Sequence, residues 1–239
     1  MNIITVNNYS NNNPAYFVGY DNCVITNELK KNKKWEPFMH EVFDKYITNE
    51  SIIIEGGCHI GTHTVKLSMI AKHVYAFEPY PKSYNLLCKN IELNNLNNVF
   101  IFQKGLSKNF NIVNFDWTGF GRGNPGGSGL SDNPIGRDHK SAIMSNDISV
   151  ELTTIDSLDL KKLDFIKLDI EGYEINAIMG GINTIKKYKP IIVLEDWCDH
   201  YGNFNINSTK EKFKILIDIG YNIKQLGKSP DYLFTMSHH

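Results

Sequence analysis

The sequence predicts an α/β protein built on a doubly wound, largely parallel sheet. Three observations lead there. From residue 51 onward, short apolar runs alternate with stretches of helical periodicity. The first five runs are continuous rather than alternating, as strands buried on both faces of a parallel sheet should be. The first of them, Ile52-Ile53-Ile54-Glu55, passes through glycines into a helix, at the carboxyl edge where open α/β sheets bind ligands.

The elements follow in order. Residues 16–20 and 23–26 flank a turn-like Asp21-Asn22 and read as two short strands. Trp35, Phe38, Met39, Val42, Phe43 and Tyr46 then recur at three- and four-residue steps, an amphipathic helix covering something apolar. Residues 1–50 are thus expected as a small strand and helix extension packed on a domain of residues 51–239. In that domain, strands are expected at 51–55, 73–78, 99–103, 165–169, 191–196, 221–226 and 232–236. The Asn94-Asn95-Leu96-Asn97-Asn98 cluster makes the turn before the third. A helix over 173–179 puts Ile175, Ile178 and Met179 on one face. Ser208-Thr209-Lys210-Glu211 reads as a capping box, and Gly220 ends the helix it opens. Periodicity fails between Val113 and Val150, and a glycine-rich loop is expected at about 116–149. A loop of that length inside a compact domain points to function or disorder.

The chemistry concentrates in three segments. The first is Glu55-Gly56-Gly57-Cys58-His59-Ile60-Gly61. A dinucleotide fingerprint needs glycine at i, i+2 and i+5, and here Cys58 takes the middle place. The strand-end acid repels a pyrophosphate but can hold an ammonium group, so a cofactor bearing a cationic amino-acid moiety fits better. The second segment, Ala76-Phe77-Glu78-Pro79, places an acid 21 residues after Gly57 at the end of the next strand. A carboxylate there can accept from both hydroxyls of a ribose. The third is Ile166-Lys167-Leu168-Asp169-Ile170-Glu171-Gly172-Tyr173-Glu174. Its acids suit a helix N-terminus; alternatively, three acids converge on a cleft.

With Leu-Thr-Thr-Ile-Asp-Ser-Leu at 152–158 and Lys-Pro-Ile-Ile-Val-Leu-Glu at 189–195, these segments come in an order that resembles the FkbM family of S-adenosylmethionine-dependent methyltransferases. The match covers roughly residues 50 to 197 by motif order. The resemblance implies a class I methyltransferase (Rossmann-like) fold, with a seven-stranded sheet whose last strand is antiparallel. It implies S-adenosyl-L-methionine as cofactor, with Glu55, Gly57, His59, Gly61, Glu78 and Pro79 at its site. It also implies methyl transfer, usually to an oxygen, often of a sugar or a natural-product hydroxyl. The family commonly has Asp-x-Gly-Ala-Asn-x-Gly in its first motif, where this chain has Glu55, Cys58 and His59.

An alcohol is a poor nucleophile until a base takes its proton. Asp169 is the first candidate for that base, with Glu171 and Glu174 behind it. Glu195 could join Asp169 as a carboxylate pair of the kind that suits Mg²⁺, but no metal is assigned. His59 and His63 with Cys58 are not a zinc site, since no Glu follows the first His. Both arginines of the chain, Arg122 and Arg137, lie in the glycine-rich loop with His139 close by. In a chain that otherwise uses lysine, this pattern suits bidentate recognition of an anionic group on the substrate, such as a nucleotide-sugar diphosphate or a carboxylate.

Composition narrows the rest. Twenty-five basic and 26 acidic side chains leave a net charge of −1, which removes the footprint of a protein that grips nucleic acid mainly by its phosphates. Four cysteines without a CxxC pair read as free thiols in a reducing compartment. No signal peptide or membrane span is read, and the expectation is a soluble, cytoplasmic protein. The reading is an O-methyltransferase acting on a hydroxyl of a sugar, glycan or related small molecule. The rivals are an RNA ribose 2′-O-methyltransferase, which would need a basic face such as Lys30, Lys31, Lys33 and Lys34 begin, and a catalytically inactive cofactor-binding scaffold subunit.

Overall fold

The computed structural model describes residues 2–21, 23–116, 129–130, 148–196 and 205–237. Strands β1 (Ile4–Ser10) and β2 (Asn13–Phe17) form an antiparallel hairpin, followed by helices α1 (Val24–Lys30) and α2 (Pro37–Tyr46). The alternating part then runs β3 (Ile52–Gly56), α3 (Thr62–Ser68), β4 (His73–Phe77), α4 (Pro81–Leu93) and β5 (Val99–Phe102). Four short strands come next: β6 (Lys104–Leu106), β7 (Asn111–Asp116), β8 (Gly129–Leu130) and β9 (Ser149–Thr153). The chain continues through β10 (Phe165–Leu168), α5 (Glu174–Gly180), α6 (Ile182–Tyr188) and β11 (Ile191–Glu195). It closes with α7 (Ile206–Lys212), α8 (Lys214–Asp218), β12 (Tyr221–Gln225) and β13 (Asp231–Met236).

Seven of these strands make one sheet in the order β12-β13-β11-β10-β3-β4-β5. Strands β11, β10, β3, β4 and β5 pair in parallel, while β13 runs antiparallel to both its neighbours. The expected antiparallel last strand is therefore present. Successive residues of a strand point to opposite faces, and the core divides accordingly. One face carries Ile53, Val74, Ala76, Phe165, Val193 and Leu233, packed against α3, α4 and the whole N-terminal extension. The other carries Ile54, Ile166, Leu168, Ile192, Leu194 and Phe234, under α5, α6 and the α7–α8 pair.

The extension is part of the first face. Phe43 of α2 is fully buried, edge-on to Phe165 of the central strand at 5.9 Å. The Tyr9 hydroxyl donates to the Thr62 carbonyl at 2.7 Å. Lys66, buried on α3, pairs with Asp44 and donates to Ser10 Oγ.

Several sequence expectations need correction. Residues 23–26 do not form a strand: Val24 opens α1, because the hairpin partner of 16–20 lies upstream in β1. Asn11 and Asn12 sit at φ 50° and 62°, as a two-residue hairpin turn with left-handed central residues needs, and Asn is among the residues that tolerate this. Edge strand β5 is only partly buried, since no strand among the described residues pairs with its outer side. In α5 the buried face is Glu174, Ala177 and Ile178, while Met179 points outward. The cap of α7 is Asn205, whose side chain accepts from the Asn207 N–H at 2.9 Å, and Ser208 lies inside the helix. Strands β6, β9, β7 and β8 form a four-stranded sheet, in that order, and none of the four was among the expected strands. Arg122, Arg137, His139 and most of the glycine-rich loop lie outside the described residues.

Phe43→Ala tests the integration of the extension. Truncating a fully buried aromatic in a core costs about 3–5 kcal/mol, and chemical denaturation should show that loss in a single cooperative transition. A small loss, or a separate early transition, would mean that the extension folds independently of the sheet.

Candidate active site

Four of the five parallel strands repeat one pattern on the first face: an apolar residue, then two positions later an ionisable one at the carboxyl edge. Ile53 is followed by Glu55, Ala76 by Glu78, Phe165 by Lys167 and then Asp169, and Val193 by Glu195. Antiparallel β13 reaches the same edge with its first residue, Asp231, which lies opposite Glu195. The period of two and the parallel register thus collect five acids and one lysine along a single line. Lys167 pairs in register with Glu55.

Backbone contact joins the first motif to the third. Gly57 stands at φ +81°, and a Cβ there would fall 1.7 Å from the Asp169 carbonyl oxygen. Only glycine lets the two loops meet. The Asp169 N–H donates to the Gly56 carbonyl at 3.1 Å, and the Gly57 and Cys58 N–H groups both donate to the Phe77 carbonyl. His59 is left-handed at φ 49°, and Gly61 at φ +86° packs on Leu87. Asn and His are both among the non-glycine residues enriched in that conformation, so His59 in place of the family's Asn keeps the shape of the loop.

The acids differ in their surroundings. Glu55 is 1% exposed and its Oε2 has no hydrogen-bond partner among the described residues; burial raises its carboxyl above the usual range. A buried carboxylate oxygen without a donor costs free energy, and an ammonium group would satisfy it. Glu78 accepts from the His59 N–H at 2.7 Å and the Tyr80 N–H at 2.9 Å. Burial pushes it up to about 7, against the pull of those two donors. Pro79 follows it into α4.

Asp169 Oδ2 lies 3.1 Å from the Nζ of Lys167, which is 3% exposed. Burial alone would lower the Lys167 ammonium, but Asp169, Glu55 and Glu36 outweigh it and hold it protonated. Glu171 adopts φ 55° in the turn after Asp169. Carboxylate oxygens of Asp169, Glu171 and Glu195 lie within 4.8 Å of one another, a set that could offer oxygen ligands to a hard divalent cation. Burial, then the charges of Asp169, Glu171, Glu174 and Asp231, push Glu195 up to about 11. Asp231 is raised to about 6, chiefly by burial.

Glu174 is not among the clustered oxygens. Its Oε1 accepts from the N–H groups of Ile170 and Gly172 at 2.9 and 3.2 Å, folding back on the turn that carries Asp169 and Glu171. Burial raises it to about 7.

Sequence reasoning missed two residues of the extension that lie beside His59 and His63. Tyr20 stacks on the His59 ring at a centroid distance of 5.6 Å and shares a 2.9 Å hydrogen bond with Ser83 Oγ. Among the described residues neither His59 ring nitrogen has a hydrogen-bond partner, and burial lowers the imidazole to about 4, so it is neutral. Glu36 Oε2, at the entry to α2, lies 3.5 Å from His63 Nε2 on α3, a nitrogen without a hydrogen-bond partner among the described residues, and burial holds the His63 imidazole well below its usual range. Lysine 167 was read only as part of a motif. The i, i+2 spacing of Lys167 and Asp169 was the available signal for their pairing; Glu36 and Tyr20 had none.

A mostly parallel seven-stranded sheet with its sixth and seventh strands in this order, and a glycine loop at the carboxyl end of the first parallel strand, define a class I methyltransferase fold. The chain belongs to the FkbM methyltransferase family, whose methyltransferase FkbM domain matches residues 55–223. It is 26% identical over 152 residues to the hexuronic acid methyltransferase AglP of Haloferax volcanii, covering 60% of this chain and 55% of that protein. It is 24% identical over 173 residues to methyltransferase 1 of Beauveria bassiana, covering 65% and 68%. The crystal structure of an FkbM methyltransferase from Methylobacillus flagellatus superposes with a TM-score of 0.52 at 14% identity, over 88% of this chain and 52% of that one. The chain therefore spans about half the length of two of these three proteins. Among the described residues no helix is long and apolar enough to cross a membrane.

The clustered acids make a stability prediction. A carboxyl whose folded pKa is raised contributes stability below its unfolded pKa and loses it as pH rises toward the folded value. For Glu195 that window opens at 4.5 and extends to about 11. Glu195→Gln should therefore stabilise the ligand-free protein more at pH 8 than at pH 5, by about 1 kcal/mol or roughly 2–4 °C in Tm at this chain size. An equal gain at both values would show that repulsion at this edge is screened.

Proposed function

We propose that this chain is an S-adenosyl-L-methionine-dependent O-methyltransferase that acts on a hydroxyl of a sugar, glycan or related small molecule. The observation that carries the reading is the backbone contact between Gly57 and Asp169. It supports a reading in which the glycine loop and the strand-end acid Asp169 serve one bound cofactor and its acceptor. When bound, the cofactor supplies an electrophilic methyl carbon on a sulfonium.

The residues divide the work as follows. Glu55 accepts from the cofactor ammonium through the oxygen that otherwise lacks a donor. Gly57, His59 and Gly61 shape the loop that lets the cofactor approach the backbone. Glu78, already anchored by two N–H groups, keeps lone pairs for the ribose hydroxyls, and Pro79 forms the adjoining wall. Asp169, held by Lys167, accepts the proton of the attacking hydroxyl, with Glu171 beside it and Glu174 fixing their turn. In-line alignment of hydroxyl and methyl carbon supplies much of the rate.

The name of the Haloferax relative speaks for a sugar-type acceptor. The row of acids supports a neutral or cationic sugar at the reacting end, since a carboxylate placed there would be repelled. The same row and the net charge of −1 speak against RNA. Arg122, Arg137 and His139 would bind an anionic group elsewhere on the acceptor.

Calorimetry should detect binding of S-adenosylmethionine and S-adenosylhomocysteine but not NAD, with the binding lost in Glu78→Ala. No binding by the wild type would instead favour a scaffold role. With methyl-tritiated cofactor, Asp169→Asn should retain cofactor binding while kcat falls about 10²–10⁴-fold, the range for losing a general base. Unchanged kcat would move the base elsewhere. Replacing Arg122 and Arg137 together by lysine should raise the acceptor KM; an unchanged KM would remove them from the acceptor site.

A further inference from the structure

His59 stands where the family commonly has Asn. An imidazole offers a flat face that a side-chain amide does not, and Tyr20 lies against that face. The two rings are 5.6 Å apart between centroids, with their planes 24° from parallel, within the range of offset-stacked aromatic pairs. Tyr20 itself lies outside the family-matched residues 55–223. A change inside the shared loop is thus met by a side chain from the extension.

One face of α4 holds both partners in place. Ser83, Leu87 and Asn90 follow one another at four- and three-residue steps, so they share a side of the helix, and all three are buried. Ser83 Oγ shares a 2.9 Å hydrogen bond with the Tyr20 hydroxyl. Leu87 packs so closely on Gly61 that a Cβ there would fall 2.5 Å from its Cδ1. Asn90 accepts from the Val18 N–H at 2.7 Å and donates to the Val18 and Ile60 carbonyls at 2.9 and 2.6 Å. The segments that carry Tyr20 and His59 are therefore pinned to the same helix, each within two residues of its ring.

The imidazole so held is incomplete. The His59 backbone N–H anchors Glu78 at 2.7 Å, but both ring nitrogens are buried without a hydrogen-bond partner among the described residues. A neutral imidazole has one donor and one acceptor to satisfy, and leaving them unpaired in a buried place costs free energy. Those atoms belong to the residue that anchors the proposed ribose-binding acid, so a bound cofactor is the ligand that would satisfy them.

We propose that Tyr20 is a positioning residue of the cofactor site: stacked on His59 and tied to α4, it fixes the imidazole in the orientation that hydrogen-bonds the bound cofactor. This rests on the S-adenosyl-L-methionine reading above and deepens it, since it gives the extension a part in cofactor binding. Tyr20 acts through His59.

The test is calorimetric titration of the full chain with S-adenosylhomocysteine. Tyr20→Leu removes the ring face but keeps an apolar side chain, and should weaken binding about fivefold, the worth of an aromatic pair. Tyr20→Phe keeps the stack and should stay within about twofold of wild type. His59→Asn restores the family residue, and Asn tolerates the left-handed φ of 49° at that position. In that background Tyr20→Leu should cost less than about twofold, because residues that act as one unit are not additive. Unchanged affinity in Tyr20→Leu, or an equal loss with and without His59, would overturn the role of Tyr20 and leave the cofactor reading standing. If Tyr20→Leu does not fold, NMR of the wild type decides. The Tyr20 ring signal, assigned by comparison with Tyr20→Phe, should shift when S-adenosylhomocysteine is added, and a stationary signal would overturn the proposal. No binding of S-adenosylhomocysteine by the wild type would overturn the cofactor reading and the proposal with it.

Discussion

The site depends on one buried ammonium. Lys167 lies in the middle of the sheet, in register with Glu55 and two residues before Asp169. Apart from their carboxyl edge, strands buried on both faces have no room for unbalanced charge, and here the edge carries five acids. Without a cation among them, their mutual repulsion and desolvation would all fall on the fold. Lys167, paired with Asp169, offsets part of this, and the carboxyls of Glu55, Glu78, Glu195 and Asp231 stay raised, chiefly by burial. Function and stability therefore pull in opposite directions along this line, as is common where catalytic groups are gathered in low dielectric.

The N-terminal extension is as much a part of this arrangement as the sheet. Phe43, Tyr9 and Lys66 bind it to the face that carries the acids. Asn90 of α4 ties the end of β2 to the glycine loop: its side-chain oxygen accepts from the Val18 N–H, while its amide donates to the carbonyls of Val18 and Ile60. Tyr20, outside the family-matched segment, accordingly stacks on His59, and Glu36 lies 3.5 Å from His63.

Much of this was legible in the sequence. Runs such as Phe165 to Leu168 are apolar at nearly every position, which identifies buried strands, and all seven strands of the main sheet fall within a residue or two of their expected bounds. The glycine loop and the acids that end β3, β4 and β10 were also readable, because strand period and loop chemistry are local properties. Errors came where local preference gave way to packing. Residues 23–26 are β-prone but join a helix because β2 already has its partner in β1. Met179 fits the apolar spacing of α5, yet Glu174 takes the buried position because two backbone donors of the preceding turn require it.

By itself the sequence determined the strands, their order of acid-terminated edges, and the glycine positions at which a ligand or a second loop can approach. These follow from side-chain volume and backbone freedom, which act over a few residues. Only the tertiary structure decided that Asp231 faces Glu195 and that Gly57 meets Asp169. Such pairings depend on strand register and on which face a helix covers, and neither is encoded by the spacing within any one segment.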